Sequence, residues 1–96
     1  MLEIKIEKSF KKDIARDKKS GLYSKEDFEL LKHIIDTLQQ EEEIDAIYKR
    51  HPLKGLLKGY ESLHIKNDWL LIFQIDRDYV TLVMLGKHTQ VYKKYK

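Results

Sequence analysis

His64-Ile-Lys-Asn-Asp-Trp-Leu-Leu-Ile-Phe73 decides how the rest of this 96-residue chain is read. Five of the six residues from Trp69 to Gln74 are apolar, too continuous a run for a strand with one wet face, so a central strand covered on both sides is expected. His64 and Asp68, both able to move protons, then stand at one end of that strand. Two hairpin registers can join them. A two-residue loop at Lys66-Asn67 sends Asp68 to the sheet face opposite His64. A three-residue loop, Lys66 to Asp68, pairs Ile65 with Trp69 and lets Asp68 lie near His64. The second is preferred because it keeps Leu63, Ile65, Trp69 and Leu71 on one apolar face.

Strands at about Tyr60 to Ile65 and Tyr79 to Leu85 flank this segment. The connections, Lys66-Asn-Asp68 and Asp76-Arg-Asp78, are short enough to make the three an antiparallel meander. Leu2, Ile4 and Ile6 alternate with charged residues as a further strand with one buried face. Ser9 is read as the cap of a helix running to about Lys19, with Phe10 and Ile14 as its buried pair and Gly21 as its end. Ser24 with Asp27 three residues on resembles a capping box. The second helix it opens carries a Phe28, Leu31, Ile35, Leu38 stripe, widened by Leu30 and Ile34, and leaves His33 on the exposed arc. The order βααβββ predicts one α+β domain over residues 1–96, two N-terminal helices packed on a small, mainly antiparallel four-stranded sheet.

From Glu41 to Lys58 the periodicity is lost. Loops of more than about 12 residues in a compact domain are usually disordered or functional, and this one carries Lys49, Arg50, His51 and Lys54. Pro52 pushes His51 toward an extended backbone. Three of the four histidines, His51, His64 and His88, thus fall on strand ends or loops that a meander can bring together.

With no cysteine, neither disulfides nor thiolate metal sites are available. The longest apolar run is far shorter than the roughly 20 residues of a membrane helix, and the N-terminus lacks the apolar region of a signal peptide, so a soluble cytoplasmic protein is expected. The formal charge of +3 hides sorting into blocks: Lys8, Lys11, Lys12, Arg16, Lys18 and Lys19; then Glu41 to Glu43; then a basic tail of Lys93, Lys94 and Lys96. Basic blocks suit a polyanion through phosphate neutralisation, and equally suit solvated helix faces.

Histidines with an aspartate serve acid–base chemistry or bind metal. No short His-x-x-x-His ligand pair occurs, so no metal site or other cofactor is expected. RNA cleavage fits the acid–base option: a 2′-hydroxyl must lose a proton, the leaving 5′-oxygen must gain one, and histidine titrates in the range for either transfer.

His51-Pro-Leu-Lys-Gly55, Glu61-Ser-Leu-His-Ile65, Asp68-Trp-Leu-Leu-Ile72 and Gly86-Lys-His88 followed by Tyr92 occur here in the order and approximate spacing of a known family. The chain resembles the YafQ branch of the RelE/ParE superfamily of bacterial type II toxins over most of its length, most specifically in its second half. The resemblance implies a ribosome-dependent endoribonuclease that cleaves messenger RNA, held inactive by a cognate antitoxin, with ribosomal RNA as a further partner. It assigns His51, His64, Asp68 and His88 to catalytic positions. His88 is then the general acid, Asp68 the base or the group orienting it, and His51 and His64 hold the phosphate or position the 2′-hydroxyl. Tyr92 is matched to an aromatic position able to stack a base, and Lys49, Arg50, Lys54, Trp69 and Lys87 are candidate RNA contacts. For Trp69, in so apolar a run, a core role is the better reading.

The chain departs from the family at Met84, where members commonly carry arginine two residues before the glycine, and at Lys87, where a small hydroxyl residue is usual. A cation relocated to Lys87, Lys54 or Arg50 is one compensation, although lysine lacks the bidentate fork. A toxin that binds its antitoxin with little cleavage, and a basic RNA-binding module without chemistry, stay open beside the nuclease.

Overall fold

Trp69 to Phe73 are all fully buried, and they lie in the middle strand of a five-stranded mixed sheet. The computed structural model describes residues 1–93; Lys94 and Lys96 of the basic tail lie outside the described residues. Along the chain come β1 (Glu3–Ile6), α1 (Lys8–Ser20), α2 (Lys25–Gln39), β2 (His51–Pro52), β3 (Glu61–Lys66), β4 (Trp69–Ile75), β5 (Tyr79–Gly86) and α3 (His88–Val91). Single 3-10 turns occupy Ala46–Tyr48 and Gly55–Leu57. The sheet order is β1-β5-β4-β3-β2, with β1 parallel to β5 and every other pair antiparallel.

The expected two helices and meander are present, and the sheet has one strand more than the four expected. The fifth is β2, where His51 and Pro52 pair with Ser62 and Glu61. Two residues are too few for a periodicity to register, and Pro52, which lacks an N–H, suits a sheet edge. The stretch from Glu41 to Lys58 is therefore folded in short pieces. Gly21 closes α1 with φ +75°, and Ser24 and Asp27 form the reciprocal capping box of α2. Ser9 does not cap α1, which begins one residue earlier; its hydroxyl donates to the Val83 carbonyl instead. In β1 the alternation holds only weakly, since Leu2 is buried while Ile4 and Ile6 stay partly exposed at the sheet edge.

Two cores sandwich the sheet. Leu63, Ile65, Trp69, Leu71, Phe73, Val80, Leu82 and Leu85 face the helices and pack with Phe10, Leu31, Ile34 and Leu38. Ile72, Val83 and Met84 face the other way and are covered by Leu57 and Val91, with Leu53, Tyr60 and Tyr92 at the margin. Two irregularities set which residue faces which side. Ile72 pairs with Met84 but Phe73 with Leu82, so Val83 is an extra residue and the strand changes face after it. Without that bulge Met84 and Gly86 would share the helix side with Val80 and Leu82.

The second irregularity corrects both hairpin registers. Lys66 pairs with Trp69 across a two-residue Asn67-Asp68 turn, and a bulge between His64 and Lys66 absorbs the parity change. The apolar set Leu63, Ile65, Trp69 and Leu71 still shares one face, because the bulge does what a longer loop was expected to do.

Candidate active site

His64, Leu70 and Gly86 lie opposite one another across β3, β4 and β5, forming the last row of the sheet on the face away from the helices. The strand β5 runs out at Gly86, and Lys87 and His88 turn into α3. Asp68, from the β3–β4 turn, meets that start: its Oδ1 accepts from the His88 backbone N–H at 2.9 Å and lies 2.7 Å from His88 Nδ1. One carboxylate thus caps the first turn of α3 and fixes the ring, leaving Nε2 as the free nitrogen. These bonds, the backbone one first, hold the Asp68 carboxyl below the usual carboxylate range, with Lys87 adding a smaller pull.

The His64 ring stands 5.3 Å from the His88 ring at 80°. Burial pushes the His64 imidazole below its ordinary value, and the neighbouring positive charges of His88, Lys49 and His51 push the same way against the smaller opposing effect of Asp68. His51 Nδ1 lies 2.9 Å from the Lys49 carbonyl, which fixes that nitrogen as the donor. Lys49 adopts a left-handed φ of +52° to present that carbonyl. Tyr92 packs its body on the smaller core and holds its ring 6.1 Å from that of His88. A cleft of about 220 Å³ opens beside His64, walled by Tyr48, Lys49, Lys66 and Asn67.

The fold brings together His64, Asp68, His88 and Tyr92 directly, with Lys49, His51 and Lys87 close enough to act electrostatically. Lys54 is exposed, and among the described residues no side-chain bond ties it to this group. Arg50 and Trp69, expected among the RNA contacts, are placed apart from this group. Arg50 makes a two-pronged bond to Glu61 through Nε and Nη2 at 2.8 and 3.1 Å and lies over the Phe73 ring. Trp69 is completely buried, stacked 4.1 Å from Tyr23 and edge-on to Phe28, with its indole N–H donated to Asp17 at 2.9 Å.

Asp17 is not legible as part of this architecture from charge alone, since it sits in a lysine-rich segment. The signal is its place: Phe10, Ile14 and Asp17 fall on one helical stripe, which puts a carboxylate where an apolar residue belongs. Among the described residues no group of three or more His, Asp or Glu side chains is arranged to hold a metal ion.

The family model described as a bacterial toxin of type II toxin-antitoxin system, YafQ, matches residues 2–93. The chain belongs to the YafQ toxin family. The mRNA interferase toxin YafQ of Escherichia coli K12 is 32% identical over 83 aligned residues, covering 76% of this chain and 90% of that protein. The YafQ chain in the E. coli DinJ-YafQ complex superposes with a TM-score of 0.83 at 27% identity, covering 96% of this chain and 99% of that one. A metal-bound toxin from Helicobacter pylori superposes equally well, TM-score 0.83, at 36% identity over 95% of this chain and 99% of that one. Met84, where the resemblance led to an expected arginine, is buried in the smaller core, one row before the His64 row and facing the same side.

Proposed function

We propose that this YafQ-family chain is a ribosome-dependent messenger RNA endoribonuclease, neutralised by a cognate antitoxin, that cleaves through the RNA 2′-hydroxyl without metal. The observation that carries the reading is the His88–Asp68 contact of 2.7 Å with a second histidine ring 5.3 Å away. Two imidazoles in one exposed cluster can divide the two proton transfers that such cleavage needs.

The electrostatics favour a particular division. His64, disposed to be neutral, is the better base for the 2′-hydroxyl. Asp68, with its Oδ1 shared between two donors and its carboxyl held ionised, orients rather than abstracts. His88, paired with Asp68 through Nδ1, turns Nε2 toward the role of proton donor to the leaving 5′-oxygen. Lys49, His51 and Lys87 supply positive charge for the phosphate in place of the missing arginine at position 84, and Tyr92 presents an aromatic face beside His88 for a base. Lys54, exposed in the neighbouring turn, is a further phosphate contact. The antitoxin partner and the interferase activity are supported by the relatives named for them.

The chemistry is tested by its products and its ion requirement. Cleavage through the 2′-hydroxyl leaves a 2′,3′-cyclic phosphate and a 5′-hydroxyl, and it persists in EDTA under conditions that keep ribosomes intact. Loss of cutting in EDTA, restored by one divalent ion, would replace this mechanism with a metal-assisted one.

A further inference from the structure

β1 accompanies β5 only as far as Leu82, where Glu7 N–H makes the last backbone bond at 3.0 Å. Past that point no strand among the described residues flanks this edge of β5, yet its polar groups are met. Ser9 donates to the Val83 carbonyl, the Leu85 N–H donates to Asp13 Oδ2 at 3.0 Å, and Arg16 Nη2 donates to the Leu85 carbonyl at 2.7 Å. Positions 9, 13 and 16 lie on one face of α1, so the helix closes the sheet edge with side chains in place of a strand.

The same side chains reach a second strand. Arg16 Nε lies 3.0 Å from Asp17 Oδ1, its Nη1 3.1 Å from Asp13 Oδ1, and the other oxygen of Asp17 accepts the Trp69 indole N–H. Trp69 directly follows Asp68, and Leu85 stands three residues before His88. We infer that Asp13, Arg16 and Asp17 are positioning residues, a clamp through which α1 sets the strand ends delivering Asp68 and His88 so that the two meet.

Arg16 is not the relocated phosphate cation, because all three of its nitrogens are engaged and two carboxylates flank it. Asp17 is 3% exposed, and a carboxylate so buried persists only where its partners are fixed. Gly86 shows how closely the clamp approaches: its φ is +155°, and a Cβ there would come within 2.7 Å of Arg16 Nη2 and 2.8 Å of Gln90 Oε1. The β4–β5 ladder already pairs Leu70 with Gly86 and Leu71 with Leu85 up to these strand ends, and the clamp adds polar bonds from α1 to the residues next to Asp68 and ahead of His88.

The activity readout rests on the proposed nuclease reading, so a second readout is chosen that does not. Arg16→Met keeps the stem and removes the three donors. Nitrogen-15 spectra at low temperature report the His88 Nδ1–H, whose exchange the 2.7 Å bond to Asp68 is expected to slow in the wild type. In Arg16→Met that signal is expected to broaden or vanish. Single-turnover cleavage at saturating ribosomes falls about 10- to 100-fold, and the half-saturating ribosome concentration moves less than about twofold, as a misplaced catalytic group requires. Arg16→Lys, which retains a donor for the Leu85 carbonyl, recovers part of both. An unchanged His88 signal overturns the clamp, and so does a lost signal with an unchanged rate. If the wild-type protein leaves ribosome-bound message uncut, the nuclease reading fails while the ring signal still decides the clamp. Should Arg16→Met fail to fold, Asp13→Asn, which spares an oxygen for the Leu85 N–H but drops the charge holding Nη1, is put to the same measurements: a weakened His88 signal with slower cleavage supports the clamp, and an unchanged signal overturns it.

Discussion

The two faces of the sheet are built from the same strands by different rules. On the helix side β3, β4 and β5 contribute apolar side chains, and α2 lays Leu31, Ile34 and Leu38 across them. On the other side a small apolar cluster under Leu57 and Val91 gives way, one row along, to His64 and Gly86, with His88 and Asp68 beyond the strand ends. The first face is defined by how much apolar surface it removes from water, the second by where a few polar atoms lie. A change on one face is therefore expected to register in stability and a change on the other in rate.

The largest expected effect comes from His88→Ala. Loss of a proton-transfer group lowers single-turnover cleavage by about 10²–10⁴-fold, with ribosome binding nearly intact and the thermal midpoint little moved. Cleavage within about threefold of wild type would remove His88 from the chemistry and blur the distinction between the faces. Phe73→Ala is its counterpart on the helix side: truncating a fully buried ring costs about 3–5 kcal/mol, read in the denaturant midpoint. A loss below about 1 kcal/mol would mean that the helix-side packing is looser than its burial implies.

Met84→Arg tests the border between the two regimes. Its stem can take the place of the methionine in the small core while the guanidinium reaches along the face toward the His64 row. Cleavage is expected to rise about 10-fold, equivalent to about 1.4 kcal/mol of transition-state stabilisation, with some loss in the thermal midpoint. A level or lower rate with an unchanged midpoint would show that Lys49, His51 and Lys87 already fill the need.

The smallest effect concerns pH. His64 must be neutral to accept a proton, and its environment favours the neutral form, so the acid limb of cleavage lies below the ordinary histidine value of about 6.5. Burial is the first cause and survives substitution nearby, but Lys49→Ala removes one repelling charge, and the limb moves up toward that value. The same direction applies to stability: a histidine held below its unfolded value binds its proton less readily when folded, and that contribution is lost as pH falls. A proton-resolved titration of His64 that is identical in Lys49→Ala would separate the lysine from the site.

What the sequence discloses follows this division. Periodicity sees a face only where parity is kept, as it is along the Leu31 and Leu38 stripe of α2 and the Leu71–Phe73 alternation of β4. On the site side, bulges at Val83 and before Lys66 change parity within a strand, and β2 has no period at all. The histidines are therefore found by type and motif, their row only by the fold. The pairing of Arg50 with Glu61 is invisible in the sequence, because a cation in a loop advertises nothing about the carboxylate that meets it. Asp17 escapes notice when charge is weighed ahead of position.

The side-chain closure of β5 changes which substitutions the chain can tolerate. Where two strands pair through their backbones, almost any residue can stand at the bonded positions, since the bonds ignore side-chain identity. Here the bonds of Val83 and Leu85 depend on a hydroxyl, a carboxylate and a guanidinium at Ser9, Asp13 and Arg16. Within a helix whose lysines are exposed, three places carry a constraint ordinarily borne by no side chain, in addition to the packing that holds Phe10, Ile14 and Asp17.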